Sequence, residues 1–282
     1  MKNQYYVIGK PIGHSMSPTM HNEWFKQNNI PGHYSAKEVG VEDLESAISE
    51  FRTQNVKGIN VTAPLKVEVM KYLDEIDPLA RDIGAVNTII NDDGRLIGKN
   101  TDGIGFFRGL ATILENPIEN ESILIIGAGG AARAIYFSLL HLGVKDITIT
   151  NRSVENANEL INEDLLNEMD TNVKVVTLTE AEEQLQKYSI IIQTTSLGMK
   201  PYEDKLPLSL ENLSSKTIVS DLIYHPFKTA FLKEAEQKNA KIQNGLPMFI
   251  YQGALAFQEW TGIFPNTIDA YSLLVRKLGG TT

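Results

Sequence analysis

Lys66 and Asp102 are two residues whose types could together handle a proton, and polar side chains gather around each of them. Asn60-Val61-Thr62-Ala63-Pro64-Leu65-Lys66 stands at the end of an expected strand, Asn87-Thr88 interrupts an apolar one, and Asn100-Thr101-Asp102-Gly103 follows a third. Amides and hydroxyls are costly inside an otherwise apolar stretch, so their concentration there points to a site that reads hydroxyls and carboxylates. A lysine paired with an aspartate can hold a proton and deliver it to an oxygen that is gaining negative charge. Taken singly, each residue has a plainer reading. Lys66 reads as an exposed helix lysine and Asp102 as the N-cap of a helix over 102–114.

A second group of residues suggests where a hydride could come from. The apolar run Ile123-Leu124-Ile125-Ile126 leads directly into Gly127-Ala128-Gly129-Gly130-Ala131-Ala132-Arg133 and then into an apolar helix ending near Gly143. This is G-x-G-x-x-A at a strand-to-helix turn, the arrangement that binds a dinucleotide. Gly127 permits the tight turn, Gly129 lets backbone approach a pyrophosphate, and Ala132 allows close helix–strand packing. The helix start adds N–H donors and a positive dipole end. The plainer alternative is a packing turn. The next strand ends in Thr150-Asn151-Arg152-Ser153, with no carboxylate to accept a ribose 2′-hydroxyl and with an arginine suited to a 2′-phosphate. That favours NADP over NAD, unless Arg152 is only a solvated surface charge.

The elements needed to position these residues fall into two groups. Residues 5–9, 33–39 and 58–62 read as strands, with helices over 17–29 and 41–54 between them. A helix is expected from Leu65 onward with Pro64 in its first turn, and Asp93-Gly94 reads as the turn of a hairpin joining 86–91 to 95–100. From residue 122 the strands are continuously apolar, at 123–126, 147–150, 173–178, 190–194 and 218–223, with a short sixth at 241–243. Such runs, separated mostly by helices, imply a parallel sheet covered on both faces. The expected architecture is α/β with two domains. Residues 1–101 form a substrate-binding domain with a mixed or parallel sheet, and 102–245 form a doubly wound Rossmann domain for NADP. Two helices within 246–282 pack back on the first domain and complete it.

The combination resembles the shikimate dehydrogenase family, from Ile8-Gly9-Lys10-Pro11-Ile12-Gly13-His14-Ser15 near the start to Tyr251-Gln252-Gly253 near the end. The resemblance implies reversible, NADPH-dependent reduction of 3-dehydroshikimate to shikimate, a step toward chorismate and the aromatic amino acids. It implies Ser15 and Ser17 as ligands of the substrate carboxylate, and Asn60, Thr62, Asn87, Asp102, Tyr224 and Gln252 as further substrate contacts. Lys66 becomes the catalytic acid and base, with Asp102 beside it. For the cofactor it implies Gly127, Ala128, Gly129, Gly130, Ala131 and Ala132 around the pyrophosphate, and Asn151, Arg152 and Ser153 around the 2′-phosphate. Thr194, Thr195, Leu222 and Gly245 line the rest. Gln193 stands where relatives often carry asparagine. Asn156 stands where many carry a second arginine, which leaves the phosphate grip mainly to Arg152.

Bulk composition is consistent with this reading. The chain has 282 residues, 42% of them hydrophobic, and a net charge of −9, without the basic run that nucleic acid rewards. It contains no cysteine, which excludes disulfides, a thiolate nucleophile and cysteine-ligated metals. The five histidines show no metal-ligand spacing, so no metal is expected. With neither a signal-like start nor an 18-residue apolar run, the expectation is a cytoplasmic enzyme with small-molecule partners only, either a monomer or a homodimer. A sister activity on quinate with NAD would call for an acidic residue near 151–153, and a binding module without chemistry would have no need of both Lys66 and Asp102.

Overall fold

The computed structural model describes residues 2–161 and 171–278. The chain begins with β1 (Asn3–Gly9), α1 (Ser17–Gln27), β2 (Gly32–Glu38), α2 (Leu44–Thr53), β3 (Gly58–Val61), β4 (Glu75–Ile76), α3 (Pro78–Ile83), β5 (Thr88–Asp92), β6 (Arg95–Lys99) and α4 (Asp102–Leu110). The strands form one sheet in the order β2-β1-β3-β5-β6-β4. It is mixed: β1 runs parallel to β2 and β3, whereas β5 is antiparallel to both β3 and β6. The amphipathic helix α2 turns Leu44, Ala47, Ile48 and Phe51 inward, where they join Ile8, Ile59, Val61, Leu65, Val69 and Ile89 in one core.

The second sheet contains β7 (Ser122–Ile126), β8 (Asp146–Thr150), β9 (Asn172–Val176), β10 (Ile190–Gln193), β11 (Ile218–Asp221) and β12 (Lys241–Gln243), all parallel, in the order β12-β11-β10-β7-β8-β9. The helices α5 (Gly130–His141), α6 (Val154–Asn158), α7 (Leu178–Glu183) and α8 (Ala230–Gln237) lie between successive strands, as parallel crossovers require. Strand order reverses at β7, between β8 and β10. A doubly wound sheet receives ligands at such a switch point, beyond the carboxyl ends of its strands. The chain finishes with α9 (Leu246–Thr261) and α10 (Thr267–Lys277). Two compact units result, Met1–Gly105 with Ile250–Thr282, and Phe106–Phe249.

Two local expectations are corrected. No α-helix starts at Leu65; the segment turns and then forms a short 3-10 stretch at Glu68–Tyr72. The reason is tertiary, since the Lys66 carbonyl accepts the Val86 N–H at 2.8 Å, leaving the Met70 N–H to reach Val67 at 3.3 Å. The strand expected over 173–178 stops at Val176, because the Thr177 hydroxyl accepts the Glu180 N–H at 3.2 Å and Glu180 bonds back to the Thr177 N–H, a capping box that starts α7.

The C-terminal helices are pinned within the first unit by indole donors. Trp260 donates to the Ile89 carbonyl, and Trp24 on α1 donates to the Asn266 carbonyl, each at 3.0 Å. Between these helices and the sheet lies an aromatic cluster centred on His21, whose ring stacks on Tyr34 with centroids 4.3 Å apart and meets Trp24 edge-on. Neither His21 ring nitrogen has a hydrogen-bond partner, and burial pushes its pKa down to about 3 from the usual 6.5. Between those values the unfolded chain binds more protons than the folded one. His21 therefore contributes its full stability above pH 6.5, and that contribution is lost as pH falls toward 3. The wild type is expected to lose about 2 kcal/mol of unfolding free energy through this group on going from neutral pH to about pH 5. His21→Phe should show a correspondingly shallower pH dependence in urea titrations at the two pH values; equal slopes would contradict it.

Candidate active site

Strand register brings the polar residues of the first unit together. Asn60 on β3 lies directly across from Thr88 on β5, which lies across from Lys99 on β6. The hairpin therefore carries Asn100, Thr101 and Asp102 back beside Asn87, whose N–H donates to the Lys99 carbonyl at 3.0 Å. The bond from Val86 to the Lys66 carbonyl, which stops the expected helix, also delivers Lys66 to this place.

Here the Lys66 ammonium donates to Asp102 Oδ2 at 2.6 Å. The side chains are 32% and 15% exposed, so the pair remains open on one side. Asp102 Oδ1 accepts the Asn87 amide at 2.8 Å, and Asn87 Oδ1 in turn accepts the Thr101 N–H at 2.8 Å. These bonds settle which way the Asn87 amide faces, because a flip would set its oxygen against the carboxylate. Asn60 directs its amide at the Asn87 carbonyl and at Thr88 Oγ1, 3.3 and 3.2 Å away, while its oxygen accepts the Tyr34 hydroxyl at 2.7 Å. Burial pushes the Tyr34 phenol well above its usual range, against a weaker opposing bond to Ser17, so Tyr34 stays protonated and can donate. An ammonium with three donors, one of them held by a carboxylate, can give a proton to an oxygen placed against its open side.

Among the expected substrate residues, Ser15, Ser17, Asn60, Thr62, Lys66, Asn87, Asp102 and Gln252 all belong to the first unit. Ser15 Oγ accepts the Ser17 N–H at 3.3 Å. Gln252 comes with α9, which approaches α4 closely at Gly105: a Cβ there would lie 2.5 Å from the Gln252 nitrogen. Gly105→Ala is therefore expected to cost about 1–3 kcal/mol of stability. Chemical denaturation checks this, and an unchanged midpoint would show that the helices can part freely. Tyr224 belongs to the second unit, with its ring 5.2 Å from that of Phe249.

The second unit holds the glycine turn at the switch point. The Gly127 N–H donates to the Thr150 carbonyl at 2.8 Å, which ties the turn to β8. Its φ of +117° suits glycine, and a Cβ would meet Thr194 Oγ1 at 2.4 Å. Gly129 and Gly130 have no atom within 4 Å of where a Cβ would stand, so their backbone presents an open cradle before α5. Ala132 is fully buried behind it. The residues present thus fit a pyrophosphate. At the end of β8, Asn151 donates to the Ser153 carbonyl at 3.0 Å, the Ser153 hydroxyl caps α6 through the Asn156 N–H at 3.3 Å, and Arg152 is exposed. The Thr194 hydroxyl bonds the Ile126 carbonyl at 2.7 Å. The Gln193 amide donates to the Thr195 and Leu197 carbonyls at 3.2 and 2.9 Å, which shapes the loop after β10.

Three family models match the chain: the shikimate dehydrogenase substrate binding domain over residues 7–89, shikimate/quinate 5-dehydrogenase over 110–201, and the shikimate 5′-dehydrogenase C-terminal domain over 245–267. A shikimate dehydrogenase (NADP(+)) from Bacillus cereus is 52% identical over 280 residues, spanning 99% of this chain and 100% of its own. The chain belongs to the shikimate dehydrogenase family. Among solved members of the family, shikimate 5-dehydrogenase from Listeria monocytogenes, in complex with shikimate and NAD, superposes with a TM-score of 0.91 at 37% identity, covering 97% of this chain and 96% of that one. The Thermus thermophilus enzyme, in complex with NADP(H) and shikimate, gives 0.86 at 33% identity, covering 98% and 99%.

Two residues that the structure puts to use, Tyr34 and Asp221, are not among the expected site residues. Tyr34 carries an ordinary β-strand signal, and only its hydroxyl, buried opposite Asn60, marks it. Asp221 opens the family's Asp-Leu-x-Tyr segment, Asp221-Leu222-Ile223-Tyr224, but has no expected role there. It accepts the Ile223 N–H at 3.0 Å and the Thr229 hydroxyl at 2.7 Å, and burial pushes its carboxyl up to about 6 in spite of them. A charged residue closing the short strand Ile218-Val219-Ser220-Asp221 was the signal available for it. Among the described residues, no helix is long and apolar enough to cross a membrane.

Proposed function

We propose that this chain catalyses the reversible, NADPH-dependent reduction of 3-dehydroshikimate to shikimate, within the route to aromatic amino acids in the cytoplasm. The observation that carries the reading is the Lys66–Asp102 pair at 2.6 Å, oriented by Asn87 in the substrate-binding unit of a shikimate dehydrogenase family member. NADPH, when bound, supplies the hydride that the ketone carbon accepts. Lys66 gives a proton to the oxygen that becomes negative and takes one up again from solvent, while Asp102 orients the ammonium. In the oxidising direction Lys66 takes that proton back. Ser15 and Ser17 receive the substrate carboxylate, Asn60 and Thr62 read hydroxyls of the ring, and Asn87, Asp102, Tyr224 and Gln252 are further substrate contacts. Recognition through so many polar groups favours the hydroxylated ring over analogues lacking a hydroxyl.

Residues 127–132 would hold the pyrophosphate and Asn151, Arg152 and Ser153 the 2′-phosphate, with Thr194, Thr195, Leu222 and Gly245 lining the remainder. The test follows absorbance of the reduced nicotinamide with shikimate or quinate and with NADP or NAD, together with gel filtration to distinguish monomer from homodimer. Turnover with shikimate and NADP exceeding every other combination is expected. Turnover confined to quinate or to NAD would move the chain to the sister activity, and none in any combination would overturn the enzymatic reading.

A further inference from the structure

The amides and hydroxyls behind the ion pair form a chain with a single polarity. Asn60 must direct its NH2 group at the Asn87 carbonyl, which can only accept, and the same group donates to Thr88 Oγ1 at 3.2 Å. With that acceptance made, the Thr88 hydroxyl turns its own hydrogen to Asn87 Oδ1 at 2.9 Å, nearer than Thr101 Oγ1 at 3.3 Å. Asn87 then directs its NH2 group at Asp102 Oδ1 at 2.8 Å, and Asp102 Oδ2 takes the Lys66 ammonium at 2.6 Å. Thr88 is fully buried and therefore touches neither solvent nor substrate.

We propose that Thr88 is a positioning residue for the reaction: its hydroxyl, accepting from Asn60 and donating to Asn87, holds the Asn87 amide toward Asp102 and so fixes the Lys66–Asp102 pair. This rests on the function proposed above. Polarised chains of buried hydrogen bonds reinforce one another, and removal of one link leaves its neighbours under-satisfied. Tyr34 donates to Asn60 at 2.7 Å and meets the Ser17 side chain on its other side, so the chain continues through it.

Thr88→Val removes the hydroxyl at nearly constant shape, and Thr88→Ser keeps it. Per folded molecule, Thr88→Val is expected to lower kcat about tenfold with KM for shikimate and NADP within about twofold, while Thr88→Ser retains more than about half of the wild-type kcat. If Thr88→Val does not fold, Thr88→Ala takes its place, with a similar expected loss in kcat and the same comparison with Thr88→Ser. Independently of turnover, the side-chain amide resonance of Asn87, assigned with Asn87→Asp, should shift in the hydroxyl-deleting variant and stay in Thr88→Ser. Wild-type kcat in the deletion variant, equal loss in Thr88→Ser, a rise in KM instead of a fall in kcat, or an unmoved Asn87 resonance would each overturn the inference. The resonance decides it even if the wild type turns over no shikimate, an outcome that would remove the proposed function instead.

Discussion

Lys66→Ala is expected to lower kcat for shikimate oxidation by about 100- to 10,000-fold, the range for removal of a positioned acid–base group, with KM changed far less. The asymmetry follows from when the ammonium acts. Its bond to Asp102 exists in the free protein at 2.6 Å, whereas the proposed proton transfer would draw on it only as charge develops on the substrate oxygen. Lys66→Arg separates proton transfer from simple charge. Guanidinium keeps the positive charge beside Asp102 but does not release a proton near neutral pH, so it should restore little of the lost rate. Steady-state kinetics of both variants check the prediction. Near-normal turnover in Lys66→Ala would remove the proton-transfer role, and recovery by arginine would leave Lys66 an electrostatic role alone.

Arg152→Gln should raise KM for NADP by about 10- to 100-fold and leave KM for NAD nearly unchanged, because a charge-assisted bond to phosphate is worth about 1.5–3 kcal/mol. The NAD arm is the control that gives the experiment its meaning. The two cofactors differ at the 2′-phosphate, so damage to the glycine turn would raise both constants. The proposed role of Arg152 as the main phosphate contact rests on its neighbours. Position 156 is an uncharged asparagine, and the Ser153 hydroxyl is already committed to capping α6. A parallel rise for NAD and NADP would show that Arg152 supports the loop without reading the phosphate.

Much of the architecture can be read from local pattern, because parallel strands buried on both faces must be apolar throughout. Ile123–Ile126, Ile190–Ile192 and Ile218–Val219 announce the second sheet, and the glycine turn follows its first strand as a switch point requires. The C-terminal helices show the same legibility through the break at Gly262 and Pro265. The structural places of Lys66 and Asp102 could be named from the motifs around them, although each alone reads as a surface lysine or a helix cap.

What the sequence determined by itself was therefore the order of elements, the dinucleotide turn and the set of polar residues too costly to be placed idly. Only the tertiary structure decided how those residues meet. The 2.6 Å ion pair needs the β5–β6 hairpin to return Asp102 beside Asn87, and it needs Val86 to take the Lys66 carbonyl, the same bond that ends the helix expected from Leu65. Thr88 and Tyr34 acquire their places from cross-strand register and stacking, which join residues far apart in the chain. Periodicity records which face of a strand or helix is buried, a property of neighbours along the chain. Hydrogen-bond partnership between distant side chains depends on register, and register is settled only when the whole sheet closes.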